Sequence, residues 1–176
     1  MPGRVTIGLY NSYDPVKFHE SHRRALARAG PLALAFDCNL ATFGFPYDKE
    51  LSTPVEIATW VSTTTSIGES GAYLVELAQK GRFSFFDFPK KGFPPQLGEA
   101  VITTRKPLKQ KSTNAAQVRS DLKMGRSILL VFGLGPRGLP KDVFEMSGKH
   151  LDITNRGLSL ETCTALGAVI GSLLAK

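Results

Sequence analysis

Three features of this 176-residue sequence predict an α/β fold, a mostly parallel sheet flanked by helices. Residues 5–36 read as strand, helix, strand, the order of a parallel βαβ unit. The run SILLVF at 127–132 is apolar without alternation, the pattern of a central strand covered on both faces. Extended and helical segments then alternate to the end of the chain, for a total of about five or six strands. The length fits one domain over residues 1–176.

Val5 opens a short β-prone run that ends at Tyr10 and makes the first strand. Asp14-Pro15 joins a good N-cap to a residue suited to the first helical position, so a helix begins there. It ends near Ala29, where Gly30-Pro31 stops it, and PLALAF at 31–36 becomes a second buried strand. Ser52-Thr53-Pro54 with Glu56 opens a helix over 55–62, weakened by the hydroxyl-rich residues 63–66. Residues 69–79 form another helix, ended by Gly81, and strands follow at 83–88 and 100–104. The basic stretch KPLKQKSTN is a linker to a helix over 115–124 that Gly125 closes. After the 127–132 strand come a short helix at 141–146, a strand at 150–154, the turn Asn155-Arg156-Gly157 and a last helix at 159–175.

That last helix is unusual. From Leu160 to Ala175 its one charge is Glu161, so it is expected to be buried nearly all round, in the interior or at a subunit interface. Gly167 and Gly171 lie four apart on one face, and Leu166 and Val169 are offered as interface positions.

Composition narrows the function classes. Hydrophobic residues are 42% and charged residues 21%, which excludes a disordered chain. Two cysteines, Cys38 and Cys163, make neither a disulfide framework nor zinc spacing and fit a reducing cytoplasm. The N-terminus lacks the apolar core of a signal peptide, and no run is long enough to span a bilayer, so no membrane is expected; with no zinc spacing among the cysteines, and His19 and His22 alone making no metal site, no metal is expected either. The net charge is +7, and it is local: residues 101–150 hold ten basic and three acidic side chains. Arg105, Lys106, Lys109, Lys111, Arg119, Lys123 and Arg126 are offset in their stretch by Asp121 alone. Such a block suits a polyanionic partner or a solvated loop, and charge alone does not choose.

Residues 133–138 spell G-L-G-P-R-G after a strand, with Asp152 nineteen residues beyond Gly133. This formally matches a dinucleotide fingerprint. Pro136 and Pro140, however, forbid the long helix whose N-terminus would receive a pyrophosphate. No Gly-Lys-Ser/Thr follows, so a Walker loop fails too.

LLVFGLGPRGLP at 129–140 resembles the second signature of the SPOUT-class, trefoil-knotted RNA methyltransferases. HLDITNRGLSLETCTALGAVIG at 150–171 is similar to their third signature, and VITTRK at 101–106 to the segment supplying their first cofactor loop. Arg24 stands six residues before Gly30, as the family's first-helix arginine does before its glycine. The loop ahead of it reads Asn11-Ser12-Tyr13-Asp14-Pro15 in place of the family's Pro-x-Asn-x-Gly. Within the superfamily the chain resembles a small archaeal-type branch.

The resemblance implies a C-terminal trefoil knot, an exception to the rule against threaded loops. It implies S-adenosylmethionine held by Thr103 and Thr104, by Gly133, Leu134, Gly135, Gly138 and Leu139, and by Ile153, Thr154, Leu158 and Ser159. It makes Arg24 the catalytic residue, stabilising a ribose oxyanion or holding the adjacent phosphate. Methylation of a base nitrogen would instead want a carboxylate, Asp152 or Glu161. The implied partner is tRNA or rRNA, met by Arg105, Lys106, Lys109, Lys111 and Arg137, and the implied state is a homodimer through the last helix. Two alternatives stay open. One is a non-catalytic RNA-binding or cofactor-binding module on the same fold, favoured by the altered 11–15 loop; the other is a Rossmann-type nucleotide-binding protein.

Overall fold

The computed structural model describes residues 1–63 and 70–176. Seven strands among them form one sheet: β1 (Val5–Asn11), β2 (Asn39–Phe43), β3 (Phe83–Phe86), β4 (Glu99–Thr103), β5 (Ser112–Thr113), β6 (Ile128–Leu134) and β7 (Lys149–Leu151). Their spatial order is β3-β2-β1-β6-β4-β7-β5, and every pairing is parallel. The helices are α1 (Glu20–Ala35), α2 (Pro54–Thr63), α3 (Ser70–Gln79), α4 (Ala115–Lys123), α5 (Lys141–Glu145) and α6 (Thr162–Leu174). The predicted α/β class is the observed one.

The side-chain alternation of β6 shows how the core is divided. Ile128, Leu130, Phe132 and Leu134 point into a large cluster shared with Leu26 and Ala29 of α1, Leu74 of α3, Val118 of α4 and Val169 of α6. Leu129 and Val131 point the other way, into a smaller cluster with Tyr10, Phe43, Leu139 and Val143. Both faces of β6 are dry, which is why its sequence does not alternate.

The largest departure from expectation is α1. Asp14 does cap, its Oδ1 accepting the amides of Val16 at 2.8 Å and Lys17 at 3.1 Å, but it caps a turn. The helix starts at Glu20, with the His22 ring accepting the His19 amide at 3.0 Å. It then runs through Pro31 to Ala35, so residues 31–36 are helix and not the second strand. The clash that keeps a pre-proline residue out of the helix falls largely on its Cβ, and residue 30 is glycine. Gly30 is needed for a second reason: a Cβ there would come within 3.1 Å of the Leu74 backbone. Asp37, at φ 56°, then turns the chain into β2.

Smaller differences follow the same logic. The predicted helix at 69–79 is found over its described part, Ser70–Gln79; its first residue and most of the hydroxyl-rich stretch fall in 64–69, outside the described residues. The 106–114 linker contains β5, a two-residue edge strand on β7. The 127–132 strand extends to Leu134, into the glycine-rich loop. The last helix is shorter than 159–175, beginning at Thr162 with Glu161 as its N-cap. It is also not buried all round. Leu166, Val169, Ile170 and Leu173 face the core, so Leu166 and Val169 are not interface positions. Gly167 is exposed, and a Cβ at Gly167 or Gly171 would meet nothing within 4 Å.

Candidate active site

Because every pairing is parallel, the strands present their carboxyl ends along one edge. The chain leaves β1 for β2 and β3 on one side, while β6 and β4 lie on the other. Such a reversal opens a crevice between neighbouring loops, where ligands of open α/β sheets bind. A cleft of about 770 Å³ opens along this edge, lined by the segments after β1, β4, β6 and β7 together with α1, α5 and α6. That volume suits a small organic ligand buried over most of its surface.

One wall is built from backbone. Thr103 and Thr104, Gly133, Leu134, Gly135, Gly138 and Leu139, and Ile153, Thr154, Leu158 and Ser159 all line the cleft. The structure thus brings every residue of the three predicted cofactor loops to one place. Gly138, at φ +67°, takes a left-handed conformation with open space at its Cβ. Gly135 is required by the loop itself: at φ +131° its Cβ would stand 3.0 Å from the Ser12 carbonyl oxygen. Its substitution by valine would strain the loop itself. The loop is tied down by Ser12 Oγ, which donates to the Leu134 carbonyl at 2.8 Å, and by Thr162 Oγ1, which donates to the Gly133 carbonyl at 3.0 Å. Thr103 Oγ1 donates to the Val131 carbonyl at 2.7 Å, so this hydroxyl serves the scaffold. The glycine loop leads into α5, of only five residues with Pro140 as its N-cap, which offers no helix end for a pyrophosphate.

The two carboxylates suggested for base chemistry are engaged. Asp152 accepts the Thr154 amide and hydroxyl and the Gly157 amide, at 2.8–3.1 Å, and so shapes the third loop. Glu161 accepts the Cys163 and Thr164 amides at 3.0 and 3.2 Å as the cap of α6. Burial works to raise the Glu161 pKa, but these amide bonds prevail and it lies below the ordinary value.

The adjoining wall, where Tyr13, Ser21 and Arg24 line the cleft, is held from behind by side chains. Asn11, 3% exposed, is the hub. Its Oδ1 accepts His22 Nε2 at 2.9 Å and the Tyr13 amide at 3.2 Å. Its Nδ2 donates to the carbonyls of Asp14 at 2.7 Å and Gly44 at 2.9 Å. With Nδ1 accepting an amide, His22 carries its proton on Nε2 and is neutral. Burial and the neighbouring His19 depress its pKa to about 4. Asp14 Oδ2 meets His19 Nε2 at 2.7 Å, and the hydrogen bond from His19 holds the Asp14 pKa far below the carboxylate range. Sequence reasoning passed over this network. Its signal is the spacing of Asn11, Asp14, His19 and His22 across the connection from β1 to α1.

Arg24 lines the cleft from α1, exposed and without a hydrogen bond or ion pair to any described residue. Its neighbours are occupied. Arg23 pairs with Glu20 at 2.8 Å and lies over the rings of Phe18 and Trp60, while the charge of Arg28 acts on Glu161 and Cys163. Arg105, Lys106 and Arg137, all exposed, line the cleft, and Lys141 adds another cation that the sequence reading did not single out. Lys109 and Lys111 lie outside the lining, and Lys111 Nζ donates to the Phe144 carbonyl at 3.1 Å. The 105–126 block is therefore not one patch. Arg119 donates to the Ser172 carbonyl, and Arg126, just ahead of β6 at the opposite edge, pairs with buried Asp121 at 3.2 Å.

The donor set fits S-adenosylmethionine. Glycine backbone on the 133–138 loop allows close approach to a flat ring, Leu134, Leu139, Ile153 and Leu158 add apolar surface, and nothing in the loops resembles a phosphate cradle. No group of three or more His, Cys, Asp or Glu among the described residues is arranged to hold a metal ion, and no described helix is long and apolar enough to cross a membrane.

Comparison with known proteins adds an independent line. A family model described as protein of unknown function (DUF531) matches residues 5–174. The uncharacterized protein MJ0224 of Methanocaldococcus jannaschii is 43% identical over 166 residues, 94% of this chain and 90% of the relative. Among solved structures, a probable methyltransferase from Bordetella pertussis superposes with a TM-score of 0.64 at 15% identity, covering 98% of this chain and 97% of its own. A structure described as giving insight into the 2-OH methylation of C/U34 on tRNA matches with a TM-score of 0.56 at 17% identity, covering 98% and 95%. An AdoMet-bound rRNA methyltransferase from Sinorhizobium meliloti matches at 0.53 and 15% identity; this chain covers 56% of it, and 98% of this chain is covered. The fold is that of SPOUT-type methyltransferases.

Proposed function

This chain belongs to the family described as protein of unknown function (DUF531), and we propose that it is an S-adenosylmethionine-dependent RNA methyltransferase acting on tRNA or rRNA. One observation carries the proposal: three glycine- and threonine-bearing loops and an unpaired arginine converge on a single cleft at the carboxyl edge of the sheet. The neighbours with 2-OH methylation and bound AdoMet in their descriptions support the same reading. The chain forms a single domain of the knotted type in a small archaeal-type branch, works in the cytoplasm, and dimerises through the open Gly167/Gly171 face of α6.

S-adenosylmethionine supplies an electrophilic methyl group. Thr104, the backbone of Gly133–Leu139 and that of Ile153–Ser159 hold it, with Thr103 bracing β4 against β6. The chain's own task is to align a nucleophile and keep water away, and positioning of this kind contributes several kcal/mol. Arg24 offers a planar pair of donors to an oxygen gaining negative charge, or to the phosphate beside it. This favours a ribose 2′-hydroxyl over a base nitrogen, since Asp152 and Glu161 are held by backbone amides. Arg105, Lys106, Arg137 and Lys141 supply the charge that draws the phosphate backbone to the cleft mouth.

The test is transfer of tritiated methyl to RNA lacking the modification, followed by nucleoside mass spectrometry. A 2′-O-methyl nucleoside is expected. The 11–15 loop keeps a second reading in play, a non-catalytic RNA-binding module on this fold. RNA binding without transfer to any RNA would select it.

A further inference from the structure

The side-chain wall holds one large residue that neither the cofactor loops nor Arg24 accounts for. Tyr13 is 47% exposed and lines the cleft beside Ser21 and Arg24 of α1. Exposed tyrosines are ordinarily mobile, but this one sits in a loop held at every step. Its amide is fixed by Asn11, the preceding Ser12 is bonded to Leu134, and the following Asp14 is bonded to His19. Its ring meets the His19 ring edge-to-face, with centroids 5.3 Å apart at 71°, and the His22 ring at 5.8 Å. The molecule thus presents a rigid aromatic ring to the cleft at little further entropic cost.

We propose that Tyr13 is the stacking platform for the nucleobase of the nucleotide whose ribose Arg24 addresses. This rests on the RNA-methyltransferase reading. A ribose hydroxyl can reach a buried methyl donor only if its nucleotide leaves the helical stack, and the lost stacking must be replaced. A tyrosine ring stacks on any base, so it supplies affinity without choosing sequence. Tyr13 and Arg24 together give a nucleotide two handles, one for its base and one for its sugar and phosphate. The competing occupant of the ring is the adenine of the cofactor, for which the adjoining wall already provides backbone.

The experiment uses the full chain and a single-stranded RNA octamer of uridines with one central 2-aminopurine. RNA affinity and 2-aminopurine quenching are measured for the unaltered protein, Tyr13→Ala and Tyr13→Phe, and S-adenosylhomocysteine binding is followed by calorimetry on the same samples. Tyr13→Ala is expected to weaken RNA binding about tenfold or more and abolish the quenching, while Tyr13→Phe keeps both. S-adenosylhomocysteine affinity stays the same in all three. Unchanged RNA affinity and quenching in Tyr13→Ala overturns the proposal. So does a matching loss of S-adenosylhomocysteine affinity, which would place the ring on the cofactor or make it a prop for the loop. Failure of the unaltered chain to bind the octamer overturns it too. If Tyr13-dependent RNA binding appears with no S-adenosylhomocysteine binding, the platform stands and the methyltransferase reading falls.

Discussion

The two walls of the cleft are rigid for opposite reasons. The wall after β6 and β7 is shaped by backbone: left-handed Gly135, Gly138 and Gly157, and a carboxylate, Asp152, that folds its own loop. The wall after β1 is shaped by side chains, with Asn11 joining Tyr13, Asp14, His22 and Gly44. A backbone wall yields close approach to a flat ligand. A side-chain wall fixes the directions of individual groups, here Tyr13 and the start of the helix that carries Arg24. A ligand that is held and a substrate that is aimed ask for these different constructions. The comparison can be broken from either side.

The largest effect is expected at the hub. Asn11→Ala removes both partners of the 11–14 loop and leaves buried His22 without an acceptor. An unsatisfied buried group costs about 1–3 kcal/mol, and several are created at once, so a loss of about 3 kcal/mol or more should appear in urea unfolding. Asn11→Asp would put a charge at the same place and should not restore stability fully.

Acid attacks the same wall without mutation. His22 is depressed to about 4 in the folded protein, against about 6.5 for an ordinary histidine. Above the unfolded value both states are neutral and nothing changes. As pH falls from about 6.5 to 4 the unfolded chain takes up a proton that the folded chain refuses, and stability is lost, by up to about 3 kcal/mol. Denaturation midpoints across this window should fall in the unaltered protein, and less steeply in His22→Gln.

Arg24 tests what the side-chain wall aims. Arg24→Ala should lower methyl transfer about a hundredfold, roughly 2–4 kcal/mol, with cofactor affinity nearly unchanged. Arg24→Lys should rescue poorly, since an ammonium lacks the planar fork. Arg23→Ala and Arg28→Ala should do less to transfer. Full turnover in Arg24→Ala would remove it from the mechanism.

The smallest effect is on the backbone wall. Gly138→Ala places a Cβ in open space but in a left-handed conformation, at a cost of about 1–2 kcal/mol. The loop should relax, and S-adenosylhomocysteine affinity should fall about tenfold while RNA affinity holds.

The backbone wall was the more legible of the two. LVFGLGPRGLP and the Thr103-Thr104 and Ile153–Ser159 segments are contiguous, so a local pattern names residues that the fold then gathers. The side-chain wall was not legible, because its hub depends on where α1 begins. Asp14-Pro15 is a sound local signal for a helix start, yet His19 and His22 form the start that is used, five residues later. Gly30-Pro31 is a sound stop signal, overridden because glycine removes the pre-proline clash and packs on Leu74. The apolar character of α6 was legible, but not which face the protomer leaves open, since that is settled by contacts with α1, α4 and β6. The charge block stayed open for a similar reason: Lys106 and Arg126 belong to one block in the sequence, yet one lines the cleft after β4 and the other lies just ahead of β6, at the other end of the strands.

The account depends most on the claim that the three loops hold S-adenosylmethionine. Calorimetric titration of the full chain with S-adenosylhomocysteine, with NAD in parallel, tests it directly. Saturable binding of S-adenosylhomocysteine at one site per chain, weakened in Gly138→Ala and absent for NAD, is the predicted result; no heat with S-adenosylhomocysteine, or binding of NAD instead, would contradict it.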